Sequence, residues 1–542
     1  MLQPTASKKH EKQRSFWLGC NEIPNQVAIE DGRDMATSDV DNAATKIGTT
    51  MEVYKTYKMV EEAKPLREEV WSWYLYELCT YFIHTTLMPV IFPLIISQIV
   101  HHPPKPSHGW WRTRLGLPCR ENQMQLYEKL TLRSINVSTS TFSPLEWTSY
   151  SWSLGLILCS PLLDFISNQL DHGNKQLIIA GAATTIGAFF CLPVGFLKVT
   201  WIFPPYIIVI VIANIIAASF HTHHLGLIVR NFTGPKNQFT DRRKISSWLT
   251  VCATVLGCLG SVLVSTFTYH KLQESEKFLS LWVVSIFSGL KWLAGIFHIF
   301  FIRRPSETLT TTSTLPEQHF LSIFAYPRAI RSLIAVFLSS FTTMCVFTGG
   351  LLYLLGQLCL KPTFLLFFWQ TYFIFPMIAL PLLRQLQLVV KANAVKMQLL
   401  GFLLSTMTSG LGFYYHDYVW HRQNVLLFAA TQGTSVGLLH GFGRILVLDC
   451  SPSGKEGAFS TWYSWVRAIG TCTGFAVASS FPGNASTYFG IAFCAATIGM
   501  SLLVFGNVSE FGGGVKAALV NDNEDGENGP SVHEHMSVEA AA

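Results

Sequence analysis

Charge is what this sequence has least of. Only 13% of its 542 residues are Asp, Glu, Lys or Arg, about half the density of soluble domains, while 49% are hydrophobic. That excludes an ordinary soluble domain and points to an integral membrane protein. Alternating apolar runs with turns every ten residues are absent, which excludes a membrane β-barrel. No Walker sequence or dinucleotide fingerprint is present, so nothing couples the chain to ATP and no cofactor is expected. Cys-x-x-Cys and Cys/His ligand spacings are missing too, so no metal site is expected. The opening MLQPTASKKHEKQRSF lacks the apolar core of a cleavable signal, and the first span is expected to serve as an uncleaved anchor.

The net charge of +6 is spread in a way that argues against a nucleic-acid partner. The first 70 residues are polar and Lys-rich, the last 35 acidic, and the basic residues between collect in short loops. Of the twelve Cys, eight (Cys79, Cys159, Cys191, Cys252, Cys258, Cys345, Cys472 and Cys494) lie in apolar runs as small hydrophobes. Cys119 and Cys359 fall in outer loops and could bridge, though spacing alone does not give the geometry a bridge requires.

Runs of about twenty apolar residues, the length a helix needs to cross a bilayer, occur at 72–100, 147–168, 176–197, 201–221, 247–269, 279–302, 331–355, 363–384, 397–415, 424–446, 458–481 and 486–507. Twelve spans put both termini on one side. The basic residues Lys175, Arg230, Lys236, Arg242, Arg243, Lys244, Arg303, Arg304, Arg328, Arg384, Lys391, Lys396 and Lys455 favour the cytosol for that side. Of three sequons, Asn136 then falls outside in the longest loop, Asn231 inside, and Asn484 outside but hard against the membrane; Asn136 is the expected glycosylation site. The Thr/Ser/Pro-rich stretch 303–330 divides the spans six and six. The expected organisation is therefore a disordered cytosolic segment 1–70, a six-helix bundle 71–302, a cytosolic linker 303–330, a second bundle 331–507 and a disordered acidic tail 508–542. This all-α layout resembles the major facilitator superfamily, whose halves rock about a central site.

Ionisable groups inside spans are costly, and each has a functional and a bland reading. Glu77, with Trp73 and Tyr76 beside it, is either a proton acceptor or partner of a basic cavity group, or an interfacial acid that reaches water. Arg467, preceded by Trp462, Tyr463 and Trp465, can hold a carboxylate through its fork, or can pair structurally with Glu456. Arg444 closes span ten. Lys291 in mid-span six is expected to snorkel or to pair internally rather than to meet substrate. The group His221, His223 and His224 at the end of span four reads as interfacial or pH-sensitive; His221 and His224 share a face, but no third ligand type is near. Asp164 and Lys175 flank a tight turn that suits a latch, and SPLLDFISNQLDHGNK resembles the superfamily's loop signature. Breakers recur in the spans, at Pro89, Pro93, Pro161, Pro193, Pro376 and Pro381 among others.

Three stretches resemble the vacuole effluxers of that superfamily, the autophagy-linked amino-acid exporters. They are Trp73-Tyr-Leu-Tyr76-Glu77 with Ile91-Phe-Pro-Leu94; Lys244-Ile-Ser-Ser-Trp with Leu256-Gly-Cys-Leu-Gly260; and Gly443-Arg444 with Ser451-Pro-Ser-Gly-Lys455-Glu456-Gly-Ala-Phe459. Leu225-Gly226 and Phe459-Ser-Thr-Trp-Tyr463 depart from the family pattern. The resemblance implies a monomeric, multi-pass protein of a vacuolar or lysosome-like membrane that exports small amino acids to the cytosol. The function expected is secondary transport by alternating access, driven by protons carried at Glu77 or by facilitation. The substrate and proton path would use Glu77, Tyr76, Trp73, Arg467 and Trp465; the gating loops would use Asp164, Lys175, Arg444, Lys455 and Glu456. Transport of another anion or a sugar, or a receptor or scaffold without transport, are the alternatives.

Overall fold

In a computed structural model the described residues are 65–100, 110–113, 115–173, 175–195, 199–233, 239–274, 281–302, 319–451 and 455–506, and all of them fall in one unit, Ile47–Ala542. Residues 1–64 of the expected segment 1–70, most of the linker and the acidic tail lie outside them, while Arg67–Val70 already belong to the first helix. Each expected span is matched by helix. The first is α1 (Arg67–Thr80), continued by a π-helical stretch at Ile83–Ile91 and by α2 (Phe92–Ile99). Pro89 stands inside the π-helical stretch, where it removes a backbone donor.

A small subdomain follows: β1 (Trp110–Arg112) pairs antiparallel with β2 (Pro118–Arg120), then come α3 (Glu121–Thr131) and the hairpin β3 (Ile135–Val137) and β4 (Ser140–Phe142). Next are α4 (Pro144–Cys159), α5 (Leu162–His172), α6 (Gln176–Cys191), α7 (Phe203–Thr233), α8 (Phe239–Glu274), α9 (Leu281–Ala294) and α10 (Phe297–Phe301). The second half holds α11 (Pro327–Gly356), α12 (Pro362–Val389), α13 (Ala394–Tyr414), α14 (Arg422–Leu448), α15 (Glu456–Ser480) and α16 (Ala485–Phe505).

Among the described residues eight helical stretches are long and apolar enough to cross a membrane, and the pair α4–α5, bent by 55°, makes a ninth if it is one span. The bend falls at Ser160-Pro161, where proline cannot donate to the preceding turn. The other three expected spans are α6, which is only 16 residues long, and α13 and α15, which have the length but carry more Ser, Thr, Gly and charge. α4 starts sharply because Ser143 and Glu146 form a capping box, with Ser143 Oγ accepting from Glu146 N at 3.1 Å and Glu146 Oε2 from Ser143 N at 2.9 Å.

The halves meet along α15 against α4, α5 and α7, and along α8 against α12 and α14. Close approach needs small residues: a Cβ on Gly260 would lie 2.0 Å from Leu78 O, and one on Gly433 2.0 Å from Tyr372 O. Cys119 of β2 is buried and joined to Cys359 by a disulfide that ties the connection between α2 and α4 to the stretch just after α11 across 240 residues of chain. The end of the expected linker is structured. Trp462 Nε1 donates to Phe320 O at 2.8 Å, and Phe320 stacks on its ring at 4.6 Å.

Candidate functional site

Glu77 lies on the buried side of α1, 4% exposed, at the junction of the two halves. Arg444 of α14 donates Nη2 to both its oxygens, at 3.1 and 3.3 Å. His440, one turn before Arg444 on the same face, places Nε2 2.9 Å from Oε1. His221 of α7 places Nε2 2.8 Å from Oε2, off the hydrogen-bond axis. Aromatic rings wall this group from lipid. Trp73 stacks on His221 at 4.6 Å and donates Nε1 to His221 O at 3.0 Å; Tyr76 stacks on the same imidazole at 4.4 Å, and the Arg444 guanidinium sits 5.8 Å over Trp73. A carboxylate so enclosed is held by its partners, not by water. The interfacial reading of Glu77 is therefore replaced by a buried, cross-half ion pair.

Two adjoining hollows of about 50 and 20 Å³ open beside it. Both are lined by Tyr81, His84, Tyr463 and Arg467, the larger also by Ser339, Thr343, His440 and Thr471, the smaller by Glu77, Asn214 and Arg444. Their walls come from α1, α7, α11, α14 and α15, so both halves contribute. They have room for only a few waters, since each water needs roughly 10–15 Å³ of such space. Arg467 faces both hollows half-buried and, among the described residues, its guanidinium has neither a hydrogen bond nor an ion pair. Glu456, its alternative partner, begins the same helix, about 16 Å away along its axis.

Trp465 turns away from the hollows and donates Nε1 to Leu156 O at 3.4 Å. At the expected latch the acid in contact is Asp171, not Asp164. Its carboxylate accepts from Gly457 N at 2.6 Å and Ala458 N at 3.1 Å, the free donors at the start of α15. Asp164 is exposed and has no partner among the described residues; Lys175 is exposed as well. Lys455 lies 5.8 Å from the Tyr326 ring, and Glu456 is buried. Asn136 is exposed on the hairpin β3–β4.

Lys291 neither snorkels nor pairs with an acid: Nζ donates to Gly260 O at 2.7 Å and sits 4.3 Å over the Phe82 ring. The three histidines of span four are buried rather than interfacial, each at most 5% exposed. His224 Nε2 is 2.8 Å from Glu69 Oε1, and its Nδ1 is 2.9 Å from His298 Nε2 on α10. The sequence reading missed Glu69, His298, His440 and Asp171. The four-residue spacing of His440 and Arg444 was the one local signal available.

Compared with models of protein families and with curated proteins, the sequence matches none. Among solved structures, the chain is similar to the crystal structure of the human organic anion transporter MFSD10 (TETRAN), with a TM-score of 0.53 and 14% identity, over 81% of this chain and 100% of that one. The fold is thus that of an all-α, polytopic membrane protein, shared with that transporter.

Proposed function

We propose that this chain is a secondary transporter that carries a small carboxylate-bearing solute through the hollow between its halves by alternating access. The observation that carries the reading is Arg467. Arg444 is neutralised by Glu77, whereas Arg467 faces the hollow with no acid of its own. A guanidinium in a partly dry hollow is a bidentate receptor for a carboxylate. That MFSD10 is an organic anion transporter is in line with this chemistry. The resemblance of the Trp73–Glu77 and Arg444–Phe459 stretches to the vacuole effluxers favours an amino acid moved from a vacuole to the cytosol. The proposal takes both termini as cytosolic and the working unit as a monomer.

The test is uptake by full-length protein in proteoliposomes of radiolabelled malate, glutamate, alanine and glucose. At least one carboxylate is expected to move, and Arg467→Gln is expected to lower its uptake at least about tenfold, the loss of one charge-assisted pair, with Arg467→Lys between the two. Uptake of glucose with none of any carboxylate would overturn the reading.

A further inference from the structure

The buried histidines form a row rather than a cluster. Among the described residues no three His, Cys, Asp or Glu converge as metal ligands, and His224 stands between two partners, one on each ring nitrogen. Glu69 lies in the first turn of α1, directly after the exposed Glu68, and is itself 3% exposed. From Glu69 the contacts run to His224 and on to His298, whose ring centre is 5.5 Å from those of His221 and Tyr76. His221 then touches Glu77. Along α1 the two acids are eight residues apart, about 12 Å, which is too far for a direct proton jump.

We propose that Glu69, His224, His298 and His221 are a proton relay joining the end of the bundle where α1 begins to the Glu77 site. With Glu69 ionised and both imidazoles neutral, His224 Nε2–H donates to Glu69, and His298 Nε2–H donates to His224 Nδ1. His298 Nδ1 is then the acceptor, and it is buried with no hydrogen-bond partner. A proton arriving there forms N–H at His298 Nδ1. The His298 Nε2–H bond breaks as His224 Nδ1–H forms, and the His224 Nε2–H bond breaks as the Glu69 carboxyl forms. One proton crosses the row, and both rings are left in the other tautomer, reset by the reverse transfer or by rotation. His221 is the moving part. Its Nε2 lies on Glu77 and its Nδ1 is buried without a partner, so turning about Cβ–Cγ presents it to His298.

A row that served packing alone would leave no reason for two unpartnered imidazole nitrogens at its junction. The other titratable groups around the row are Tyr74, Tyr76 and Cys79 on α1, His223 on α7 and Lys291 on α9; beyond Glu77 are Arg444 and His440 on α14 and Tyr463 on α15. Lys291 is engaged by Gly260 and Phe82 and Arg444 by Glu77, which leaves the imidazoles as the exchanging groups.

One arm of the test rests on the transport reading. Full-length protein in proteoliposomes is assayed with whichever of malate, glutamate or alanine the wild type moves fastest. Accumulation driven by an imposed pH gradient is compared with equilibrium exchange, which moves no net proton. His298→Gln and, separately, Glu69→Gln are expected to cut gradient-driven accumulation at least about tenfold and to leave exchange unchanged, which also shows that they fold. Gradient-driven accumulation at the wild-type rate in both variants overturns the relay. So does a wild type that exchanges solute but ignores the gradient, a result that leaves the transport reading standing. If no carboxylate moves, the transport reading fails. The relay is then read on purified protein from deuterium exchange at the histidine C2 positions against pH. Glu69→Gln should change the exchange profiles of His224 and His298 together. A His298 profile that does not respond to Glu69→Gln overturns the relay.

Discussion

Replacing Glu77 by Gln keeps the size of the side chain and an oxygen for His440, but removes the negative charge that neutralises Arg444. The Arg444 guanidinium is 2% exposed, and its Nε and Nη1 have no hydrogen-bond partner, so its stability in the interior leans on the two contacts at 3.1 and 3.3 Å. Two unit charges about 4 Å apart attract by about 4 kcal/mol at an effective dielectric near 20. Removing one partner of a buried pair costs roughly 3–5 kcal/mol, because the survivor is left uncompensated. Glu77→Gln is therefore expected to destabilise the protein by about 3 kcal/mol. Arg444→Gln should cost less, about 2 kcal/mol, because His440 and His221 touch the carboxylate and can take up a proton in place of the lost charge. The double variant restores a neutral site. It should lie close to wild type, so the two single costs reappear almost whole as a coupling energy of about 5 kcal/mol across the cycle. Reversible unfolding in SDS titrations of micellar protein measures all four corners. A coupling below about 0.5 kcal/mol, the size of an exposed pair, would refute the claim that this pair is buried and mutually dependent.

Asp171→Asn removes the charge that faces the free donors of α15 at 2.6 and 3.1 Å. It should cost about 1 kcal/mol in the same titration, and an unchanged midpoint would argue against a latch there. Gly260→Ala would put a Cβ 2.0 Å from Leu78 O and 2.7 Å from Lys291 Nζ, whereas at Gly226 nothing lies within 4 Å. The first should abolish a monodisperse peak in fluorescence size-exclusion chromatography or cost about 3 kcal/mol; Gly226→Ala should match wild type. Asn136→Gln in a eukaryotic host should remove the one mobility shift that N-glycosidase produces. A wild type unmoved by the enzyme would put that loop on the other side of the membrane.

The helices were legible because bilayer thickness writes itself into sequence as apolar length, and this held even for α13 and α15, whose Ser and Thr hydroxyls bond back to their own helix, as Thr408 and Ser464 do. Glu77 was legible for the same reason in reverse, as a charge where charge is costly. Its partners were not. His440 and Arg444 lie 363 and 367 residues away, and nothing local says which distant cation faces a given acid. Arg444 was accordingly read as a loop residue. Asp164 was singled out where the structure puts Asp171 in contact, because the receivers are backbone amides of Gly457 and Ala458, which carry no side-chain identity to match. The Cys119–Cys359 pairing, with a Cα separation of 5.7 Å, depends on how the subdomain between α2 and α4 folds over α11, which no spacing in the chain encodes.

The two arginines divide the site's electrostatics in a way that fixes the sign of any coupling. With Glu77 ionised, the hollow holds one negative and two positive side chains, Arg444 and Arg467, and so lacks one anion. On the proposed reading a monovalent carboxylate supplies it. A proton reaching Glu77 through the histidine row removes the internal anion and frees Arg444, so affinity for the external carboxylate must rise. By linkage, bound carboxylate must raise the affinity of the site for that proton by the same factor. Proton and monoanion then travel in the same direction with no net charge. A membrane potential clamped with valinomycin and potassium should leave gradient-driven accumulation of a monocarboxylate unchanged, while a pH gradient of one unit is worth about tenfold in the accumulation ratio. If the potential alone drives accumulation, Glu77 does not carry the proton and the charge assignment of the hollow is wrong.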